Sequence, residues 1–131
     1  FWFKRFKKKP KIAITGLNPH CESIDTFNED EKIILPSIKY LKKNNYNVSG
    51  PFSADTIFLK NNRKKFDVII GMYHDQVLTP FKTFFEYDAI NVTAGLPFLR
   101  VSPDHGPNER MIGKNISNPL SLIRSLQFLD F

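Results

Sequence analysis

The sequence predicts an α/β fold with a mostly parallel or mixed sheet flanked by helices. Two short β-branched runs, "KIAIT" at 11–15 and "FDVIIGM" at 66–72, have the composition of strands. Between them, from Asn28 or Glu29 to about Lys43, apolar residues recur at helical spacing, with acids at the start and lysines at the end. Strands that alternate with helices are typical of α/β proteins, in which helices connect parallel strands.

The remaining elements follow in order along the chain. Residues 1–9 resemble the end of a helix, and Pro36 predicts a kink or a later start in the first long helix. Ser53 is a candidate N-cap for a short helix, and "FDVIIGM" is expected to be the central buried strand. The last segment predicts an amphipathic helix, with Asn118 as its cap and Pro119 in its first turn. The further predicted segments are a strand and turn at 47–52, a short helix at 54–60, strands at 89–95 and 98–102, and the closing helix at 118–129.

Composition is that of an ordinary globular protein, since 41% of the 131 residues are hydrophobic and 24% are charged. No apolar run approaches the roughly 18 residues of a membrane span, so no membrane partner is expected. The lone cysteine, Cys21, excludes an internal disulfide and is compatible with a reducing cytoplasm. Because the chain starts with Phe, we expect part of a longer protein. Residues 1–10 would be the end of a truncated helix and a basic connector, and residues 11–131 a single α/β domain with its closing helix.

The net charge of +6 first suggests a nucleic-acid-binding protein. However, residues 1–11 hold six Lys and Arg and no acid, whereas the other 120 residues carry 13 basic and 13 acidic side chains. The excess charge therefore belongs to one short segment. We interpret it as a solvated connector between a helix and a strand, with binding to nucleic acid or to a membrane surface as the alternative.

Each of the three histidines lies in a predicted loop directly after a predicted strand. The carboxyl ends of parallel strands meet at one edge of a sheet, so His20 and His74 could lie around one metal ion. No HExxH or CxxC spacing supports a metal site, and a solvated histidine is the alternative for each position. The third, His105, lies in the Pro- and Gly-rich loop "SPDHGPN".

Three other polar residues stand at strand ends or within predicted strands. Lys82 follows His74 by eight residues, Asn91 interrupts "INVT", and Arg100 interrupts "FLRVS". Departures from local preference often mark functional sites, although solvation of an edge strand explains them equally well. A Lys and an Arg together suit an anionic ligand, because Arg binds as a bidentate fork and Lys as a point charge.

Several long motifs occur in a fixed order between Pro10 and Leu129: "KIAITGLNPH", "GPFSADTIF", "MYHDQ", "INVTAGLPFLRVSPDHG" and "IGKNISNPLSLI". With these motifs, nearly the whole chain resembles the C-terminal part of the 4-hydroxythreonine-4-phosphate dehydrogenase family of pyridoxal phosphate biosynthesis. The resemblance implies a fold similar to isocitrate and isopropylmalate dehydrogenases. It also implies two α/β domains and a homodimer whose partners share the active site.

The resemblance further implies a reaction. The family oxidises 4-phosphooxy-L-threonine with NAD or NADP and a divalent metal (zinc, magnesium or cobalt), and the 3-oxo product loses CO2 to give 3-amino-2-oxopropyl phosphate. The metal is bound by three histidines shared between dimer partners. His20 and His74 match the second and third of these, and the first is expected upstream of Phe1. The substrate-binding residues of the family match Lys82, Asn91 and Arg100.

The loop at 104–119 is similar to the adenosine-binding loop of isopropylmalate dehydrogenase. This analogy implies that His105, Gly106 and Asn118 contact the cofactor. Arg110 stands where that loop has an Asp, which would suit the 2′-phosphate of NADP, although an exposed Arg needs no such reason. We therefore expect a cytoplasmic enzyme acting on a small phosphorylated amino acid. The alternative is a truncated remnant without catalysis, a metal- or phosphate-binding module.

Overall fold

The computed structural model describes residues 2–22, 26–107 and 109–130. Its contacts divide the chain into two compact units, Phe1–Pro80 and Phe81–Phe131. The sequence led us to expect one domain over residues 11–131, whereas the contacts separate this segment after Pro80. The number of domains in the whole protein stays a prediction.

The first unit is built on a three-stranded sheet. Its predicted leading helix is present, with Phe1 outside the described residues. The elements are α1 (Trp2–Phe6), β1 (Ile12–Thr15), a π-helical turn (Asp30–Ile34) that continues into α2 (Leu35–Lys43), β2 (Val48–Phe52), α3 (Ala54–Ile57), α4 (Lys60–Arg63), β3 (Val68–Ile70) and α5 (His74–Phe85), whose last turn belongs to the second unit.

The three strands run parallel in the order β2–β1–β3, with Ile12 of β1 opposite both Val48 and Val68. The prediction that "FDVIIGM" is the central buried strand was wrong. Among the described strands β1 is central, and its last three residues are buried. β3 lies at an edge, where Ile70 is 41% exposed. A β-branched run indicates that a strand is present, but not its place in the sheet.

The core of the first unit joins the sheet to the first long helix. Ile34 and Ile38 lie four residues apart, as helical spacing requires, and pack with Ile14 and Val48. Each fully buried aliphatic side chain contributes about 1.5–3 kcal/mol. The chain is helical from Asp30 onward, so the later helix start that Pro36 predicts is not observed; instead the helix changes from π to α form at Leu35, next to Pro36. The Leu35 N–H donates to the Asp30 carbonyl five residues back, so the bonding just before Pro36 is π-helical, and Pro36 itself has no N–H to donate.

Ser53 occupies the predicted N-cap position of α3, and its carbonyl oxygen accepts the Ile57 N–H at 3.1 Å. Its side chain does not cap the helix, contrary to the prediction. The hydroxyl instead lies against the carbonyl oxygen of Pro19 and the Asp55 carboxylate. Ser53 therefore connects the turn after β1 to the loop after β2, which a cap preference cannot predict.

Asp67 joins the basic connector to the start of β3. Its carboxylate accepts a hydrogen bond from the Lys11 N–H at 2.9 Å and forms an ion pair with the Lys8 ammonium at 2.8 Å. The Lys11 N–H, and then the Lys8 ammonium, lower the pKa of Asp67 below its usual value. Part of the excess positive charge therefore serves the connector role that the sequence predicts.

Asp67→Asn is expected to destabilise the chain in a pH-dependent way. Because the folded-state pKa of Asp67 is lowered, its contribution is present above the unfolded-state pKa of about 3.9 and disappears as the pH falls through the lower, folded-state value. Urea unfolding of both proteins at about pH 7 and about pH 2.5 tests this. At neutral pH, Lys8→Met should lower the unfolding free energy by part of the amount that Asp67→Asn does. If Asp67→Asn lowered the unfolding free energy equally in acid, the stabilising role assigned to the ionised Asp67 carboxylate would be contradicted.

The second unit begins with the last turn of α5 and contains an antiparallel hairpin. Both of its strands were predicted. Asn91 pairs with Ser102, and Thr93 pairs with Arg100. Its elements are β4 (Ile90–Thr93), β5 (Arg100–Pro103), a 3-10 turn (Glu109–Met111) and α6 (Leu120–Leu129).

The predicted closing helix is confirmed, but its N-cap residue is Pro119, one residue later than predicted. The side-chain oxygen of Asn118 accepts the Leu120 N–H at 3.0 Å, and Pro119 immediately precedes α6. The helix buries Ser121 and Ser125, whereas several of its aliphatic side chains are about half exposed. Within the described ranges, no helix combines the length and apolar character needed to cross a bilayer.

Hydrogen bonds explain why α6 turns serines inward. Ser121 Oγ accepts the Asp104 N–H at 2.9 Å and donates to the Ala89 carbonyl. Ser125 donates to the Ser121 carbonyl at 2.9 Å. One helical face thus fixes the segments that lead into β4 and out of β5. Hydrophobic periodicity cannot reveal this, because the buried residues are polar.

Candidate functional site

The two predicted metal ligands follow neighbouring strands. His20 lies in the turn after β1, and His74 is the first residue of α5, soon after β3 ends. Because β1 and β3 are adjacent and parallel, the turn and the helix start lie at the same carboxyl edge of the sheet. Both histidines are exposed. The structure corrects one detail, since His74 begins a helix rather than lying in a loop.

Sequence reasoning missed α5 altogether. Pro80 lies inside this helix and is a strong helix breaker, and the polar start was interpreted only as a strand-end site. The signal was present, because Val77, Leu78, Phe81 and Phe85 recur at i, i+1, i+4 and i+8.

Gln76 is the buried residue of the "MYHDQ" motif, with 7% of its surface exposed. Its side-chain oxygen accepts the Thr15 hydroxyl and the Met72 N–H, both at 2.8 Å. Its side-chain nitrogen donates to the Gly16 carbonyl at 2.8 Å. One amide therefore connects the end of β1, the exit of β3 and the turn that carries His20.

Asp30 holds the same turn by accepting hydrogen bonds from its N–H groups, whereas Gln76 donates to one of its carbonyl groups. Its side chain is buried, with 1% of the residue exposed. One oxygen accepts the Leu17 N–H at 2.8 Å, and the other accepts the main-chain and side-chain N–H groups of Asn18 at 3.0 and 2.9 Å. A buried carboxylate requires such donors, because an unpaired one is costly.

The residues near His20 and His74 provide a partial set of metal donors. His74 Nδ1 lies 2.6 Å from an Asp75 carboxylate oxygen, an arrangement typical of ligating histidines, which bind metal through the other nitrogen. Burial, and then the Asp30 charge, raise the pKa of the Cys21 thiol, which disfavours the thiolate form that binds metal ions. Within the described ranges, no group of three His, Cys, Asp or Glu side chains could hold a metal ion.

In the second unit, Asn91 and Arg100 lie on one face of the hairpin. Directly opposed residues share a face, and so do alternate residues of one strand. The pairs Asn91 with Ser102 and Thr93 with Arg100 therefore form a polar row. Arg100 Nη1 donates to the Thr93 hydroxyl at 3.1 Å, and both Asn91 and Arg100 are exposed.

Lys82 lies at the far end of this row. Its ammonium contacts Asp104, directly after β5, through the carbonyl oxygen and through the carboxylate Oδ2 at 2.8 Å. That Oδ2 is buried, and no hydrogen bond of acceptable geometry reaches it from the described residues, so the contact is an ion pair. At about 3.3 Å per residue, Asp104 and Arg100 lie roughly 13 Å apart along the chain.

Asp104, the ion-pair partner of Lys82, and Arg100 thus lie toward opposite ends of the hairpin strand. Asn91, opposite Ser102, lies between the two positions. The convergence of Lys82, Asn91 and Arg100 near His74 stays a prediction.

The predicted nucleotide loop borders an open cavity of about 600 Å³, within the usual range for small-molecule sites. Of the three predicted cofactor residues, His105 and Gly106 line this cavity. Asn118 is not among the lining residues, and its oxygen caps α6. The cavity is also lined by Pro107, Met111, Ile112, Gly113, Asn115 and Ser117.

Comparison with known proteins shows which family has these sequence motifs. The family model for pyridoxal phosphate biosynthetic protein PdxA matches residues 3–129. The chain belongs to this family. A PdxA relative from Sulfurihydrogenibium sp. (strain YO3AOP1), called 4-hydroxythreonine-4-phosphate dehydrogenase, is 47% identical over 120 residues, which are 91% of this chain and 37% of that protein. The protein of the same name from Xanthobacter autotrophicus is 45% identical over 119 residues, covering 90% and 34%.

Solved structures agree with the assignment to the PdxA family. The 4-hydroxythreonine-4-phosphate dehydrogenase from Klebsiella pneumoniae superposes with a TM-score of 0.74 at 34% identity, over 92% of this chain and 37% of that one. The enzyme of that name from Burkholderia phymatum gives 0.72 at 34% identity, with the same coverage. The chain thus spans little more than a third of the length of these PdxA proteins.

Proposed function

We propose that the chain forms part of an NAD- or NADP- and metal-dependent 4-hydroxythreonine-4-phosphate dehydrogenase in pyridoxine 5′-phosphate biosynthesis. The main support is the link between the two histidine motifs. The buried Gln76 amide ties the turn of His20 to the helix start of His74 at one sheet edge, in a chain that matches the PdxA family along nearly its whole length.

The proposed substrate, 4-phosphooxy-L-threonine, carries a carboxylate at one end and a phosphate at the other. Lys82 and Arg100 supply cations toward the two ends of the polar row, and Asn91 supplies an amide between them. An ammonium has three N–H donors, so Lys82 can retain Asp104 and still bind one substrate oxygen. Held at both ends, the substrate presents its central carbon in one orientation.

The proposed oxidation breaks the C–H bond of the carbinol carbon. The hydride passes to the nicotinamide, and the hydroxyl group releases its proton as the carbonyl forms. The product is a β-keto acid. When it loses CO2, the electrons of the broken C–C bond pass toward the ketone, and protonation of the resulting enol gives 3-amino-2-oxopropyl phosphate. The residues of this chain contribute binding and orientation to these steps.

His20 and His74 would hold the divalent ion, and the contact of His74 Nδ1 with Asp75 fits such a role. When bound, the ion supplies Lewis-acid stabilisation of the substrate oxygen. Two histidines do not complete a zinc site, which takes at least three protein ligands. A homodimer with a shared active site would supply the remainder.

His105 and Gly106 are proposed to contact the cofactor in the cavity beside them. Asn118 uses its side-chain oxygen in the helix cap, which leaves its NH2 group as the donor toward a nucleotide. A fold of the isocitrate and isopropylmalate dehydrogenase type and a cytoplasmic location complete the proposal. The choice between NAD and NADP stays open.

Arg100→Ala provides the test of substrate binding, in a chimaeric enzyme that joins the unmatched part of the Sulfurihydrogenibium protein to this chain. Loss of a charged hydrogen bond should cost about 2–3 kcal/mol. We expect this loss of binding free energy to raise the KM for the phosphorylated substrate and to leave the KM for the nucleotide nearly unchanged. Arg110→Ala, which removes an exposed Arg of the predicted cofactor loop, is the control for the substrate KM alone and should leave it unchanged. An unchanged substrate KM in Arg100→Ala would remove Arg100 from the site.

A further inference from the structure

We propose that Asp30 and Gln76 are positioning residues, a two-sided clamp that holds the His20 turn (residues 16–20) in one conformation. The clamp sets where the His20 imidazole is presented. This inference rests on the metal-binding role proposed for His20, but its structural half can be tested without any metal.

The first side of the clamp is the Asp30 carboxylate, which points away from the helical segment that Asp30 begins. An Asp at a helix start usually caps the N–H groups of that helix. The Asp30 carboxylate instead accepts three hydrogen bonds from Leu17 and Asn18, just before Pro19 and His20. Its burial, at 1% exposure, makes these bonds strong in a low-dielectric environment. The carboxylate therefore fixes the middle of the turn.

The second side of the clamp is the Gln76 amide, which binds the Gly16 carbonyl at the beginning of the turn. The backbone fits closely between the two side chains. A Cβ at Gly16 would lie 2.7 Å from the Asp30 carboxylate and 2.8 Å from Cys21 Sγ, so a side chain there would displace the carboxylate that holds the turn. The turn thus has little freedom to move without breaking these bonds.

The clamp also fixes the position of His20 relative to His74, the two predicted metal ligands. Gln76 lies two residues after His74, at the start of the same helix. The side chain that holds the His20 turn therefore also holds the helix start, through the Met72 N–H and the Thr15 hydroxyl. Weakening the clamp should move His20 relative to His74 while the sheet stays intact.

The test uses the isotope-labelled, metal-free 131-residue chain and the variant Asp30→Asn. Asparagine keeps the size of the side chain but can accept fewer of the three hydrogen bonds. We expect the Leu17 and Asn18 amides to exchange about tenfold faster and the His20 ring signals to shift. Glu31→Gln changes the neighbouring, exposed carboxylate and should leave both readouts unchanged. Asn18→Ala removes one bond only and serves as the milder variant, with an expected increase of about threefold.

Zinc titration, followed on the ring signals, separates positioning from a merely structural role. Asp30→Asn should need about tenfold more zinc than the parent chain, and Asp30→Glu, which retains a carboxylate, should recover part of the affinity. A folded Asp30→Asn or Asn18→Ala variant with unchanged His20 signals and unchanged amide exchange would overturn the clamp. If His20→Ala leaves zinc binding intact, the proposed metal role of His20 fails, and the metal-free readouts alone decide the clamp.

Discussion

Lys82→Met is expected to lower kcat/KM of the chimaeric enzyme for the phosphorylated substrate by on the order of a hundredfold, and also to destabilise the protein. The activity loss follows from removing a charged hydrogen-bond donor to the substrate. The stability loss has a separate cause. The buried Oδ2 of Asp104 would then face no cation, and an uncompensated buried polar group costs about 1–3 kcal/mol.

The double variant Lys82→Met with Asp104→Asn distinguishes these two causes. Because one oxygen of this partly buried pair is enclosed, removing both charges is less harmful than removing the cation alone. The double variant should therefore regain part of the lost unfolding free energy, measured with urea, but none of the lost activity. If activity returned together with stability, Lys82 would be a structural residue of the hairpin unit and not a substrate ligand.

The elements predicted best are those whose signal is local. The strand at 11–15 and the helix ending near Lys43 were found from apolar spacing. The start of α6 was found to within two residues for the same reason, and Asn118 does accept a hydrogen bond from the first residue of that helix.

Apart from α5, which was missed despite its local apolar spacing, what the sequence did not reveal depends on residues far away along the chain. The place of β3 in the sheet depends on which strands pair, and a run of β-branched residues is the same at an edge as at the centre. The inward face of α6 depends on the partners of Ser121, which are 17 and 32 residues away. Propensity and periodicity contain neither kind of information.

The candidate site shows the same division. The strand-end positions of His20 and His74 and the polar exceptions Asn91 and Arg100 were visible as local departures from preference. The residues that hold them in place were not. Asp30 resembled an ordinary acid at a helix start, and its contacts with the turn appear only in three dimensions.

The 131-residue chain by itself is expected to show no measurable dehydrogenase activity. It spans only 37% of the Sulfurihydrogenibium relative, and the reaction needs a complete metal shell together with a cofactor held at hydride-transfer distance. The described residues offer two of the three histidines that the family resemblance implies, and two ligands bind a divalent ion weakly. The chain alone would then act at most as a metal- or phosphate-binding module.

The measurement compares this chain with the chimaeric enzyme under identical conditions. Zinc, magnesium or cobalt is added with NAD or NADP and 4-phosphooxy-L-threonine, and the absorbance of the reduced nicotinamide is followed. The chimaera should turn over and its His20→Ala variant should not, because the variant lacks one proposed ligand while keeping the whole length. Turnover by the isolated chain within about tenfold of the ~10 s⁻¹ typical of enzymes would contradict the prediction. It would mean that the third histidine and the unmatched length are dispensable, and the proposed shared metal site would have to be abandoned.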